Sequence, residues 1–468
     1  MIADLKPHAV MKESGVEWLG EIPQDWELRR MKTLLRERVE KGFPGEPLLA
    51  ATQSRGVVRK EHYENRTVVA QKDLHLLKLV RVGDFVISLR SFQGGIEYAR
   101  EQGIISPAYT VLYPRDSGSH AFLAWLFKCK TYVENLSLYV TGIRQGQNID
   151  YKALGRSMLP VPPLSEQSAI SHFLEYADRR IRACIRSKQR LAALLKEKKQ
   201  VVIYRAVVHG LDSSVRLKPS QAEWFGTVPH HWAVLRLKQV SLILRGRFSH
   251  RPRNDPSLYG GPFPFLQTGD VARARKFITH HGQSLNERGL GVSKLFPAGT
   301  LVMTIAANIG DVAILDFDAC FPDSVVGLLP GDQIDRDYLY FVCLAMRPEL
   351  IREAPVNTQG NLNVERIGVR EVPVPPRDEQ RQIVRYLEKV TRVYDLVSDR
   401  TRHQISLLQE YRARLIADVV TGKLDVRNAV MDLANEMDES MQMDESNTLS
   451  EEGISQDDLD PDIDEAVL

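Results

Sequence analysis

Residues 16–32 read VEWLGEIPQDWELRRMK, and residues 222–238 read AEWFGTVPHHWAVLRLK. Set 206 positions apart, they share Glu17/Glu223, Trp18/Trp224, Gly20/Gly226, Pro23/Pro229, Trp26/Trp232, Arg30/Arg236 and Lys32/Lys238. Four of the five tryptophans of the chain fall in this pair. The chain is therefore read as an internal duplication, a feature that changes every later assignment of fold.

A second pair of landmarks follows. LPVPPLSEQSAI at 159–170 matches VPVPPRDEQRQI at 372–383. Between the landmarks the likeness is weaker: GDFVI at 83–87 against GTLVM at 299–303, PAYTVL at 107–112 against DSVVGL at 323–328, and RQGQNI at 144–149 against TQGNLN at 358–363. Each half thus holds a mixed region with short apolar runs broken by Gly, Pro and Asn, which reads as a loop-rich α+β domain, followed by a region of different character.

That second region begins with Pro162-Pro163 and Pro375-Pro376, which cannot continue a ladder of strand hydrogen bonds. Ser165 and Asp378 are expected to be the N-caps. Glu166 and Glu379 fall in the first turn, where negative charge suits the helix dipole. A heptad reading puts one apolar seam on Ile170, Leu174, Ala177, Ile181, Cys184, Lys188, Leu191, Leu195, Lys198 and Val202, and the other on Ile383, Leu387, Val390, Tyr394, Val397, Thr401, Gln404, Leu408, Tyr411 and Leu415. Both helices end near a glycine, Gly210 and Gly422. At ~43 residues each they would be ~65 Å long, too long to bury a seam in one small domain. The expected fold is α+β: two globular domains, 1–160 and 211–374, separated by two long helices, 161–210 and 375–425, that form an antiparallel coiled coil with pseudo-two-fold symmetry.

Charge sharpens this plan. The 468 residues carry 62 Lys and Arg against 60 Asp and Glu, a net +2. The sum hides an asymmetry, because residues 426–468 hold 14 acids and one base. Residues 1–425 therefore carry +15 and the tail −13. A basic body points to a polyanion partner, and an acidic tail of this kind is expected to be disordered. No apolar run reaches the ~20 residues of a membrane span, and the start lacks a signal-peptide core. Cys129, Cys184, Cys320 and Cys343 lie far apart and read as buried apolar residues of a cytoplasmic protein.

The paired order of the tryptophan motif and the Pro-x-Pro-Pro-x-x-Glu-Gln helix start resembles the specificity subunit of type I restriction-modification enzymes, over residues ~13–425. The resemblance implies two target recognition domains, each reading half of a split duplex DNA site, with the helices as spacer and docking surface. It also implies two methyltransferase subunits and motor-nuclease subunits as partners, in phage defence, with S-adenosylmethionine, ATP and Mg bound on those partners. The acidic tail departs from the family plan. The residues themselves agree on the missing chemistry: no G-x-x-x-x-G-K-[ST] phosphate loop, no amino-methyltransferase motif (Asn254-Asp255-Pro256-Ser257 is the nearest approach), and no metal-ligand cluster. No catalytic residue is assigned, no metal is expected and no cofactor is expected on this chain.

Candidate DNA contacts are Arg, Lys, Asn, Gln and His side chains on loops, the groups that pair with phosphates and base edges. In the first domain these are Arg55, Arg59, Lys60, Arg90, Gln93 and Arg144; Arg90 and Gln93 lie in SLRSFQGG at 88–95. In the second they are Arg245, Arg247, His250, Arg251, Arg253 and Asn254, then Arg273, Arg275 and Lys276, and Asn308 in the loop equivalent to SLRSFQGG. Pro162, Pro163, Glu166, Gln167, Pro375, Pro376, Glu379 and Gln380 form the helix-start or docking motif. Trp18, Trp26, Trp224 and Trp232 read as packing residues at the domain–helix junctions. Two other readings stay open: a stand-alone DNA nuclease or methyltransferase, and a coiled-coil adaptor for another partner.

Overall fold

The structure is a computed structural model that describes residues 5–53, 55–62, 73–116, 118–142, 148–222, 224–353 and 363–431. The chain divides into two units. Unit 1 comprises residues 1–189 and 403–468, and unit 2 comprises residues 190–402. Each unit holds part of two long helices, Leu164–His209 and Arg377–Val420.

The two units are built on one plan. In unit 1 an antiparallel sheet runs in the order Leu35–Arg38, Thr110–Pro114, Phe85–Ile87, Glu97–Tyr98. In unit 2 the strands Ser241–Arg245, Val325–Pro330, Leu301–Thr304 and Val312–Leu315 follow the same order, with Phe277–Ile278 added in parallel at the edge. The registers agree as well. Val111 lies opposite Arg38 and Val86, and Gly327 lies opposite Leu244 and Val302. Val111/Gly327 and Val86/Val302 are the pairs that two of the weak sequence likenesses align. Because a one-residue slip would turn every side chain to the other face, this agreement marks a true repeat. Unit 2 also carries a second sheet, Gln283–Leu285, Tyr259–Phe265, Ala319–Cys320 and Leu295–Phe296.

The sequence landmarks meet in space. Glu27–Arg30, just after Trp26, pairs antiparallel with Met158–Val161, just before the first Pro-Pro. Ala233–Arg236 pairs with Glu371–Val374 in the same way, with Val234 opposite Pro373 where unit 1 has Leu28 opposite Pro160.

Within unit 1, Asp178 bonds Arg412 and Lys188 bonds Gln404 at 2.8 Å, so the two helical segments run antiparallel. Within unit 2, Lys199 reaches Asp395 at 2.6 Å, and Ile203, Ala206 and Val207 share a core with Ile383 and Leu387. The seam departs from the expected heptad. Among the buried or half-buried positions of the first helix, one stripe runs through 170, 174, 177, 181, 185, 188, 192, 195, 199, 203 and 206. Cys184, Leu191 and Lys198 are exposed, and Ile185, Ala192 and Lys199 take their places. On the second helix Thr391 is buried next to half-buried Val390, and Val397 and Tyr411 are exposed. The steps average close to the ~3.6 of a straight helix, and a strict heptad would drift ~20° per repeat against it.

Three further expectations change. The helices begin at Leu164 and Arg377, so Ser165 and Asp378 stand inside the first turn; Pro163 and Pro376 precede it, and their carbonyls receive the N–H groups of Gln167 and Gln380. Cys184 is exposed, while Cys129, Cys320 and Cys343 are buried. Finally, Val426 and Ala429 belong to the unit 1 core, so the fold continues past residue 425 before the acidic stretch. Residues 432–468 lie outside the described residues.

Candidate nucleic-acid interface

The helix starts are structural junctions. Trp232 is buried and its indole N–H donates to Glu379 Oε2 at 2.8 Å, while His231 Nε2 is 2.6 Å from Glu379 Oε1. Gln380, fully buried, donates to the carbonyls of Gln333 and Pro375 at 3.0 and 2.8 Å and accepts from the N–H of Asp335 at 2.7 Å. Gln167 donates to the Pro162 carbonyl at 2.8 Å. In unit 1 Glu166 lies 3.4 Å from His8, and the N–H of Trp26 is buried without reaching hydrogen-bond geometry. Burial pushes the Glu166 carboxyl above its ordinary range, opposed by the nearby Trp26 N–H and by His8. Burial of Gln167 and Gln380 gives them a local role, holding the helix start to the domain.

Each long helix ends against the tryptophan of a repeat. A Cβ on Gly210, at φ +77°, would lie 3.1 Å from Trp232. One on Gly422, at φ +78°, would lie 2.3 Å from Pro23 and 3.2 Å from Trp26. The second helix thus closes onto the first tryptophan motif, as a duplication with an antiparallel pair requires. Trp18 stacks edge-on against Tyr132, and Trp224 donates to the Glu371 carbonyl at 2.9 Å. All four tryptophans pack.

The candidate contacts separate by what already faces them. Arg59 is held by Glu101 at 2.8 Å, Arg253 by Asp323 at 2.6 Å and Arg273 by Asp270 at 2.6 Å. Arg275 pairs with Asp399, and Lys276 with Asp337 and Glu388. These two tie the edge of the five-stranded sheet to the second long helix inside unit 2. Arg245, Arg247 and Arg251 instead donate to backbone carbonyls, of Asp323, of Ser293, and of Phe248 and His250. A carbonyl orients a guanidinium without cancelling its charge, so these three keep a full positive field and spare N–H groups. His250 bonds Asp255 at 3.0 Å, and Asn254 is exposed.

In unit 1, Arg90 and Gln93 are exposed at either end of the short turn Ser91–Gly94, after the buried strand Phe85–Ile87. Arg55 is exposed, its backbone N–H bonded to Thr52 Oγ1 at 3.1 Å. Lys60 is half-buried, which lowers its ammonium pKa. Arg144 lies outside the described residues. In unit 2, Asn308 is exposed in the corresponding loop, after Ala307 at φ +59°. The structure thus brings Gln53, two residues before Arg55, against Gly94 of the turn that carries Gln93.

A family profile described as the type I restriction modification DNA specificity domain matches residues 229–406. Two proteins of Methanocaldococcus jannaschii are similar along most of the chain. One, provisionally named the type I restriction enzyme MjaX specificity subunit, is 21% identical over 438 residues, 87% of this chain and 96% of that protein. The type I restriction enzyme MjaVIII specificity subunit is 20% identical over 435 residues, 87% and 95%. A chain from a structure addressing complex assembly and conformational transition of the type I restriction-modification system shares the fold, with TM-score 0.65 and 17% identity over 86% of this chain and 99% of that one.

Residues 229–406 thus match the type I DNA specificity domain, and most of the chain is similar to type I specificity subunits. No helix among the described residues is long and apolar enough to cross a membrane. The residues that sequence reading missed are Lys128 and Arg347, which touch the candidate loops from behind. Neither lies in a motif, and only the tertiary contact reveals them.

Proposed function

We propose that this specificity subunit reads a bipartite duplex DNA target, one half-site per unit, and positions two methyltransferase subunits and the motor-nuclease subunits without performing catalysis itself. S-adenosylmethionine, ATP and Mg then belong to those partners, and the complex works in the cytoplasm. The observation that carries the reading is the preserved register of the repeat: Val111 and Gly327 occupy one position in two sheets that each present an exposed polar loop, with Arg90 and Gln93 on one and Asn308 on the other. Loops of this kind supply base-edge donors, while Arg245, Arg247 and Arg251 supply phosphate-seeking charge.

The helices act as the spacer, since both contribute residues to both units. Inserting one heptad into each should change the length of unread DNA between the half-sites. A methylation map with an unaltered gap would remove the spacer role.

A further inference from the structure

Lys128 follows the helix His120–Leu126, and its ammonium donates to three acceptors: Glu97 Oε1 at 2.7 Å, the Gly94 carbonyl at 2.8 Å and the Gln53 carbonyl at 3.0 Å. An ammonium has three donors, so all are engaged. The acceptors lie on separate segments. Gln53 follows strand Leu49–Thr52 and leads to Arg55. Gly94 ends the turn that carries Gln93, next to Arg90. Glu97 opens the strand paired with Phe85–Ile87. One cation therefore joins the segment that leads to Arg55 and the turn that carries Gln93.

The surroundings leave little slack. A Cβ on Gly95 would lie 2.3 Å from the Phe127 carbonyl, and one on Gly94 would lie 2.6 Å from Gln53 Cγ. The Glu97 side chain is 2% exposed and its second oxygen has no hydrogen-bond partner among the described residues. Its charge is compensated by Lys128, and removing one member of such a pair costs far more than the pair contributes.

Unit 2 repeats the device with other residues. Arg347, in the helix Arg336–Arg352, binds Asp311 at 2.7 Å. Gly310, at φ +79°, lies so near that a Cβ would meet Arg347 Cγ at 2.9 Å. The Asp311 N–H donates to Thr304 Oγ1 at 3.1 Å, which closes the loop that carries Asn308. By register the counterpart of Glu97 is Ala313, so the second contact is a separate solution to the same mechanical need.

We propose that Lys128, just past a helix, and Arg347, within one, are specificity-determining positioning residues, each fixing the loop with which its own unit discriminates bases. This rests on the reading of those loops as DNA contacts.

The test uses the full chain with its methyltransferase partner. Binding and methylation are measured on the target found by methylation profiling and on its single-base variants. Lys128→Met should lower discrimination about tenfold at the half-site read by unit 1 and leave the other half unchanged. Arg347→Met should do the reverse, and Arg347→Lys should restore most of the loss. Because Lys128→Met strands a buried carboxylate, Lys128→Met/Glu97→Gln is measured beside it, with the same expectation. Full discrimination in these variants, where Arg90→Ala, Gln93→Ala or Asn308→Ala lose it, overturns the positioning role and leaves the loop reading intact. Full discrimination in the loop variants too overturns both. Equal loss at both half-sites also overturns the proposal, because it marks general destabilisation.

Discussion

The indole N–H of Trp232 donates to Glu379 Oε2 at 2.8 Å, across 147 residues of sequence. This bond joins the two landmarks of the second repeat, the tryptophan motif and the helix start. In the first repeat the corresponding N–H, on Trp26, reaches hydrogen-bond geometry with no acceptor among the described residues. Both rings are buried, so Trp→Phe removes the same volume from each. Trp232→Phe should therefore destabilise the protein by about 1 kcal/mol more than Trp26→Phe. Calorimetric unfolding of the two variants measures the difference, and equal losses would mean that the bond adds nothing.

The glycines that end the long helices differ in how tightly they are packed. Both have positive φ, which disfavours a side chain. A Cβ on Gly422 would also overlap Pro23 at 2.3 Å, whereas on Gly210 it would touch only the Trp232 ring, at 3.1 Å. Gly210→Ala should cost about 1 kcal/mol. Gly422→Ala should cost clearly more, because a backbone or proline must shift. Thermal unfolding of the two alanine variants ranks them.

Burial pushes the Glu97 carboxyl up to about 7, against the attraction of Lys128. An acid whose pKa is raised by folding holds its proton more tightly in the folded state, so stability is full below the unfolded value and falls as pH rises toward the folded one. The window runs from about 4.5 to about 7. Over that range the melting temperature of the parent protein should fall relative to that of Glu97→Gln. Parallel curves for the two proteins would rule out the titration.

Lys188 and Gln404 meet at 2.8 Å inside the helical seam of unit 1, where apolar residues would otherwise pack. Replacing a partly buried polar pair in a helix seam by apolar residues often stabilises, by about 1–2 kcal/mol, and can relax the pairing register. Lys188→Leu/Gln404→Leu should raise the melting temperature, whereas Lys188→Leu alone should gain less, since Gln404 then loses its partner. A lower melting temperature for the double variant would show that the pair itself stabilises the seam.

The duplication, the helix starts and the junction tryptophans were legible because they rest on rare residues at fixed spacing. The seam was legible only in outline. A heptad reading follows Ile170 to Ile181 but then selects Cys184 and Leu191, where the straighter helix buries Ile185 and half-buries Ala192. The candidate site was legible as a composition of loops, and its internal pairing was not. Arg253 and Arg273 look like Arg245 and Arg251 in sequence, yet carboxylates face the first pair and carbonyls the second. Lys128 and Arg347 escaped notice because their partners lie 31 and 36 positions away, on segments brought near by the sheet.

The most direct measurement is a methylation profile of a host that expresses this chain with its methyltransferase partner. Two short defined base blocks separated by a fixed undefined gap are expected, with Arg90→Ala and Gln93→Ala altering one block and Asn308→Ala the other. A single continuous motif, or one altered throughout by either set of substitutions, would contradict the assignment of one half-site to each unit.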